Sequence, residues 1–299
     1  MISVVIPYYN EAENLPILYR ELVDVLKTID EPAEIVFVDD GSLDNFQFSI
    51  FNFQISSKIQ IKKIRHKTRL GKGAALNTGI KNSSGDVIIF MDGDLQDDPK
   101  DIPAFLKKIN EDYDLVNGVR TVRKDSGIIK AYSRLFNQFL KAVFRSPFKD
   151  INCGFKAIKR EIFSEIILYG NNFRFLPLAA CYKGYKVAEI PVGNRPRKYG
   201  VSKFGAGKAF IGLIDTLTAY FIYRFSEQPL HFFGTIGAGF FILGFIIAFI
   251  LSVQRIFFGI LLYRRPALLF AILLIIVGLQ IVLTGVIGEL VVYLDKKKK

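Results

Sequence analysis

The sequence has no tryptophan, only two cysteines and two histidines, and 28 acidic residues against 40 basic ones. Cys153 and Cys181 lie far apart, outside C-x-x-C or metal-ligand spacing, which excludes a disulfide framework and a structural zinc site. The folded part is therefore expected in a reducing compartment. His66 and His231 have no partner in sequence and read as a surface residue and a membrane-interface residue. The dinucleotide fingerprint and the P-loop are both missing, because Gly73 is followed three residues later by Leu76 and Lys72 directly by Gly73. Hydride transfer and ATP hydrolysis thus lose their support. No repeat or low-complexity segment occurs apart from the lysines at 296–299. The start has neither the charged leader nor the apolar core of a secretory signal, and Ile2 to Ile6 reads as a strand.

Charge is missing from two long windows. No Asp, Glu, Lys or Arg interrupts Glu227 to Arg255 or Arg265 to Glu289, in a chain that is 51% hydrophobic. Each window exceeds the roughly 20 residues that cross a bilayer. Helices of about 230–253 and 266–290 would form a transmembrane hairpin, the alternative being two buried helices of a soluble core. Both ends then share one side, where Lys203, Lys208, Arg224 and Lys296 to Lys299 outnumber Arg255, Arg264 and Arg265 of the connecting loop. The positive-inside rule puts the N-terminal region and both termini in the cytoplasm. Residues 1–204 are expected as the folded domain outside the bilayer, 205–228 as a juxtamembrane helix at the interface, 229–295 as the hairpin and 296–299 as a basic tail at anionic headgroups. Glycine-rich helix faces admit a homo-oligomer. Glu289, near the end of the last helix, is tolerable as an interfacial acid.

Residues 1 to about 200 alternate short apolar runs with helical patterns, which predicts an α/β fold with a mostly parallel sheet and helices on both faces. Strands are expected at Ile2 to Ile6, Ile35 to Val38, around Ile59, Ile61 and Ile64, at Val87 to Met91 and at Leu115 to Val119. Helices are expected from Leu15 to Ile29, Gly73 to Lys81 and Ile102 to Ile109. The aromatic-rich stretch 46–55 fits neither pattern.

In such a sheet the ligand lies beyond the carboxyl ends of the strands. Polar clusters stand there: Pro7, Tyr8, Tyr9, Asn10 and Glu11 after the first strand, Asp39, Asp40, Gly41 and Ser42 after the second, and Asp92, Gly93, Asp94, Leu95 and Gln96 after Met91. Gly71, Lys72 and Gly73 add a backbone amide and an ammonium. On an extended backbone Asp92, Asp94 and Gln96 would share one side and offer oxygens to Mg²⁺ or Mn²⁺. A calcium loop is excluded, because Asp97 and Pro103 stand where Gly and Glu are required. Asp97 and Asp98 read as solvating the turn, and capping of the next helix is the structural alternative for the whole cluster.

Taken in order, Val4 to Glu11, Val38 to Ser42, Gly71 to Gly73 and Asp92 to Gln96 resemble glycosyltransferase family 2. Asp150, Asn152 to Lys156 with Arg160, Arg174 to Pro177, and Arg195-Pro196-Arg197 to Ser202-Lys203-Phe204 resemble its polyprenyl-phosphate branch, which includes dolichyl-phosphate mannose synthases and undecaprenyl-phosphate glycosyltransferases. The resemblance implies an A-type nucleotide-sugar transferase fold, a divalent cation and an inverting reaction onto a lipid phosphate. It makes Pro7, Tyr9, Asn10, Glu11, Asp39, Asp40 and Lys72 the nucleotide site. Asp92, Asp94 and Gln96 become the metal site, with Asp94 as the direct ligand. Arg120, Ser133, Arg134, Arg195, Arg197, Ser202 and Lys203 become the acceptor-phosphate site, and Asp92, Asp94 and Arg120 the catalytic set. The chain departs from the pattern at Lys130 and Ala131, where an Arg-rich stretch is usual, and at Asn194, where His is frequent. Cys153 follows the family position as a packed residue.

A phosphate monoester, with a second pKa of about 6, is already largely dianionic near neutral pH. The acceptor then needs positioning and charge neutralisation rather than a general base. Arg195, Arg197, Lys198, Lys203 and Lys208, with no acid between Glu189 and Asp215, fit a loop over phosphates; contact with anionic headgroups is the alternative. Three classes follow: sugar transfer from a UDP- or GDP-sugar to undecaprenyl or dolichyl phosphate, a polysaccharide synthase, and a non-catalytic scaffold. The Gln-x-x-Arg-Trp signature of the second is impossible without tryptophan. The expected partners are the nucleotide sugar, the polyprenyl phosphate and the bilayer, and not nucleic acid. Asn82-Ser83-Ser84 matches a glycosylation sequon that a cytoplasmic location would keep unused.

Overall fold

In a computed structural model, residues 1–44, 58–120, 148–168, 170, 172–196, 207–259 and 266–298 are described, with backbone alone at 207–213 and 298. Stretch 46–55 and the candidate residues Ser133, Arg134, Arg197, Ser202 and Lys203 lie outside them. The chain divides into two units, Met1–Asp215 and Thr216–Lys299.

All five apolar runs are strands of the first unit: β1 Ile2–Tyr8, β2 Ala33–Asp39, β3 Ile59–Arg65, β4 Val87–Phe90 and β5 Leu115–Arg120. Two further strands, β6 Lys156–Lys159 and β7 Val187–Val192, complete a seven-stranded sheet of order β3-β2-β1-β4-β6-β5-β7. Only β6 runs antiparallel to its neighbours β4 and β5 among these pairings. The expected helices are α1 Leu15–Lys27, α2 Lys72–Asn82 and α3 Ile102–Asn110.

Alternation along β1 explains how helices cover both faces. Val4, Ile6 and Tyr8 share one core with Leu15, Leu18 and Leu22 of α1 and with Phe105 and Ile109 of α3. Val5 points the other way, where α2 lies so close that a side chain at Gly79 would collide with it. Phe105 also meets Phe155, just before β6, at a centroid separation of 4.4 Å. Burying a ring of this size contributes roughly 1.5–3 kcal/mol. At the amino ends of the strands, wholly buried Glu34 accepts from Ser3 Oγ at 2.6 Å and pairs with Lys62 Nζ at 2.7 Å. The short helices α4 Ile162–Glu165 and α5 Leu176–Tyr182 lead to β7.

Helix α6, Gly207–Phe225, occupies most of the expected juxtamembrane stretch. In the second unit α7 Pro229–Phe258 and α8 Pro266–Lys298 are long and apolar enough to cross a membrane. Only 17% of the apolar window of either helix is buried within the chain, which disfavours a soluble core hairpin. The two helices touch backbone to backbone: a Cβ at Gly237 would stand 2.6 Å from the Gly278 carbonyl oxygen. Glu289 Oε2 accepts the Leu230 N–H at 3.2 Å, so this acid satisfies one of the orphan amides at the start of α7.

Candidate active site

At the carboxyl ends of β1, β2 and β4 an open cavity of about 240 Å³ is lined by Pro7, Tyr9, Glu11, Asp40, Lys72, Asp92 and Asp94 among others. Seven of the sequence candidates thus converge, as the position of a ligand in a parallel sheet requires. Asn10, Asp39, Gln96, Arg120 and Arg195 stand outside the cavity lining. Asn10 and Asp39 instead brace the turn at Ser42 and Leu43, just after Asp40. Asn10, at φ +55°, donates its N–H to Ser42 Oγ at 2.9 Å and accepts from Leu43 N at 2.8 Å, and Asp39 accepts from Ser42 N at 2.7 Å.

Asp40 fixes the glycine turn. Its carboxylate accepts from the N–H groups of Leu70 and Gly71, both at 2.8 Å, and meets His66 Nδ1 at 2.9 Å. An ionised carboxylate only accepts, so Nδ1 carries the proton. In the neutral ring Nε2 then accepts from Thr78 Oγ1 at 2.9 Å. His66 is therefore no surface residue: its side chain is 8% exposed and ties β3, Asp40 and α2 together. The turn needs Gly71, whose φ of +98° costs other residues dearly. It starts α2 so that Lys72 forms an ion pair with Asp92 while its ammonium sits 5.0 Å from the Phe173 ring centre.

The acidic segment does not run extended as the sequence suggested. Leu95 has φ +61° and a buried side chain, so the chain turns between Asp94 and Gln96. Apolar burial of Leu95 holds this disfavoured conformation. Asp94, 7% exposed, accepts from Gln96 N at 3.2 Å, while the Gln96 carbonyl accepts from Arg195 N at 2.9 Å. Asp97 does more than solvate the turn: it is 6% exposed and accepts the Asp92 N–H at 3.1 Å. Burial, with the carboxylates of Asp92 and Asp94, pushes its pKa up to about 7. Burial also opposes ionisation of Asp92, yet Lys72, then Arg120 and Lys156, hold it below the usual carboxylate range. Asp98 caps the 3-10 turn Pro99–Asp101 and pairs with Arg195.

Arg120, at the end of β5, is gripped by both oxygens of Asp150, Nε at 2.8 Å and Nη2 at 3.0 Å. Asn117 Nδ2 donates to the Asp150 carbonyl at 2.9 Å. Arg195 is not the unopposed cation its sequence neighbourhood suggested, because Glu21 and Asp98 hold it at 2.6 and 2.7 Å. Those acids are remote in sequence, so spacing along the chain did not reveal them. Sequence reasoning also missed Arg69, which lines the cavity with its guanidinium 4.3 Å from the Tyr9 ring centre. Its place two residues before Gly71 was the available signal. Cys153 is buried, and burial pushes its thiol up to about 11, the behaviour of a packed residue rather than a nucleophile.

The donor set fits a hard divalent cation, being carboxylate oxygens without sulfur or imidazole. Among the described residues no three His, Cys, Asp or Glu side chains are arranged to enclose an ion by themselves. Diphosphate oxygens would have to complete the shell around Asp92 and Asp94.

Comparison with known proteins agrees with this architecture. The chain is 29% identical over 294 residues to dodecaprenyl-phosphate galacturonate synthase of Rhizobium johnstonii, across 97% of this chain and 87% of that protein. Glucosyl-3-phosphoglycerate synthase of Mycobacterium tuberculosis, in complex with phosphoglyceric acid, matches with a TM-score of 0.56 at 20% identity, over 74% of this chain and 79% of that one. The same enzyme with Mn²⁺, UDP-glucose and phosphoglyceric acid also gives 0.56, at 19% identity over the same shares. Residues 3–167 match the family model of glycosyl transferase family 2. With its strand-end acids, its glycine turn and a family match over more than half its length, the chain belongs to glycosyl transferase family 2 and is a glycosyltransferase.

Proposed function

We propose that the protein transfers a sugar from a nucleoside diphosphate sugar to a polyprenyl phosphate at the cytoplasmic face of a membrane, with inversion. The carrying observation is the convergence of Pro7, Tyr9, Glu11, Asp40, Lys72, Asp92 and Asp94 on one cavity. The acceptor class is supported by likeness to a dodecaprenyl-phosphate galacturonate synthase that runs through 97% of the chain, its apolar helices included. UDP and GDP donors both fit this reading, as do several hexoses.

Each step falls to residues of this chain. The pocket of Pro7, Tyr9 and Glu11 takes the nucleoside, and Asn10 and Asp39 belong to the same nucleotide reading. Lys72 offers its ammonium to the diphosphate at the start of α2, where the helix dipole also favours negative charge. Asp92 and Asp94, with Gln96 close in sequence, would hold Mg²⁺ or Mn²⁺, whose chemistry when bound is to neutralise the departing diphosphate. Arg120, oriented by Asp150, places the acceptor phosphate. One phosphate oxygen then forms the new bond to the anomeric carbon as the bond from that carbon to the diphosphate oxygen breaks, and the nucleoside diphosphate leaves with the electron pair. The attacking oxygen is already anionic, so no side chain need remove a proton. Arg197, Ser202 and Lys203 belong to the same acceptor reading, in which α7 and α8 anchor the enzyme where its lipid substrate lies.

The test is incubation of the detergent-solubilised chain with polyprenyl phosphate, Mg²⁺ or Mn²⁺ and a panel of UDP- and GDP-sugars, the lipid product being read by mass spectrometry. A metal-dependent glycosyl phospholipid, absent with Asp94→Ala, is the expected result. No product from any donor, together with no nucleotide binding, would favour a non-catalytic scaffold.

A further inference from the structure

Lys156 is given no contact with donor, metal or acceptor in the sites described so far, although its charge helps to keep Asp92 ionised. It is 1% exposed and stands at the start of β6 opposite Phe90 of β4, so strand pairing sets it beside the segment that continues to Asp92. Its ammonium donates to the carbonyl oxygens of Cys153 and, at 3.4 Å, Ile151. Among the described residues no carboxylate lies within ion-pair distance of it. A buried ammonium with no carboxylate in direct contact is costly, and an apolar side chain would serve packing better. What the ammonium holds is therefore informative.

The loop it holds, residues 150–154, joins the two halves of the site. Asp150 at one end grips Arg120 with both carboxylate oxygens. Gly154 at the other end packs its backbone on Asp92: a Cβ there would stand 2.8 Å from Asp92 Oδ2. Between them the carbonyls of Ile151 and Cys153 need buried donors, and Lys156 supplies both. We propose that Lys156 is a positioning residue: by pinning these carbonyls it fixes the loop that spaces Arg120 from Asp92, and so the acceptor phosphate from the donor diphosphate. The proposal rests on the polyprenyl-phosphate transfer reading.

The test compares Lys156→Met and Lys156→Gln with wild type in the full chain in detergent. It follows kcat, KM for polyprenyl phosphate, and affinity for the nucleoside diphosphate with metal by calorimetry. Lys156→Met is expected to lower kcat by about 10²-fold, the scale of an ångström-size misplacement, and to raise the acceptor KM. Nucleotide affinity should fall far less than kcat, since an equal loss would signal a different role. Lys156→Gln keeps N–H donors for the carbonyls and should recover part of the loss. Wild-type kcat and acceptor KM in folded Lys156→Met, nucleotide affinity falling as far as kcat, or Lys156→Gln no better than Lys156→Met would each overturn the proposal. If Lys156→Met does not fold, Lys156→Gln against wild type is read by the same split between acceptor and nucleotide. Absence of transfer by the wild-type chain overturns the functional reading, and this proposal with it.

Discussion

Asp92 and Asp94 differ in their surroundings, and the difference sets what each substitution should do. Asp92 is paired with Lys72, whereas Asp94 is more buried and braces the turn through Gln96 N. Asp94→Ala is expected to lower kcat by on the order of 10²–10³, the scale at which lost charge stabilisation of a transition state is felt. Lys72→Met is expected to weaken nucleoside diphosphate binding while leaving metal binding in its presence detectable, which calorimetry with and without metal separates. Far from the site, Glu34 permits a pH test. Burial works to raise its pKa, but Lys62, Ser3 and the Ser84 N–H together hold it below the usual carboxylate range. A depressed carboxylate pKa stabilises the fold above the unfolded value, and that contribution is lost as pH falls through the folded value. Glu34→Gln should cost about 1–3 kcal/mol near pH 7, the worth of hydrogen bonds to a charged group. The gap from wild type should close as pH falls through the depressed pKa of Glu34, as followed by circular dichroism melting of the solubilised chain. An unchanged gap at acid pH would remove Glu34 from the account.

Among the elements, the glycine turn before α2 joins the nucleotide and metal halves of the site. Gly71→Ala forces a side chain into φ +98°, at an expected cost of about 1–3 kcal/mol. Because Asp40 holds the Gly71 N–H, the strain should shift the first turn of α2 and carry Lys72 away from Asp92. A rise in donor KM larger than in acceptor KM is the expected kinetic signature. The sequence made the parallel half of the sheet legible, since β1, β2 and β4 are buried on both faces and read as unbroken apolar runs. It did not disclose β6, four residues with a lysine at each end, or β7, which carries Glu189 and Pro191. Lys156 looks like a surface residue in sequence and is buried. The strand-end clusters were legible for the same reason as the strands. The left-handed Leu95, the buried Asp97 and the bridge made by His66 depend on contacts remote in sequence, so local pattern did not reveal them.

At the scale of the whole molecule, the scarcity of cysteine turns an inference about topology into an experiment. Cys153 is buried and its thiol is pushed up to about 11, so it should stay inert to maleimide near neutral pH, whereas Cys181 is exposed. The chain thus carries one natural reporter on its first unit. The charge asymmetry around the hairpin, with cations concentrated before α7 and after α8, is the ground for the proposal that this unit faces the cytoplasm. A membrane-impermeant maleimide is therefore expected to leave Cys181 unmodified in intact cells and to label it once the membrane is opened. With Cys181→Ser, a reporter introduced as Leu262→Cys between the helices should show the reverse, reacting in intact cells. Labelling of Cys181 from outside would invert the topology and put the acids of the cavity on the side away from cytoplasmic nucleotide sugars. Protection of both sites in intact cells would mean that the hairpin does not cross, and the lipid acceptor would then have to be reached from the interface alone.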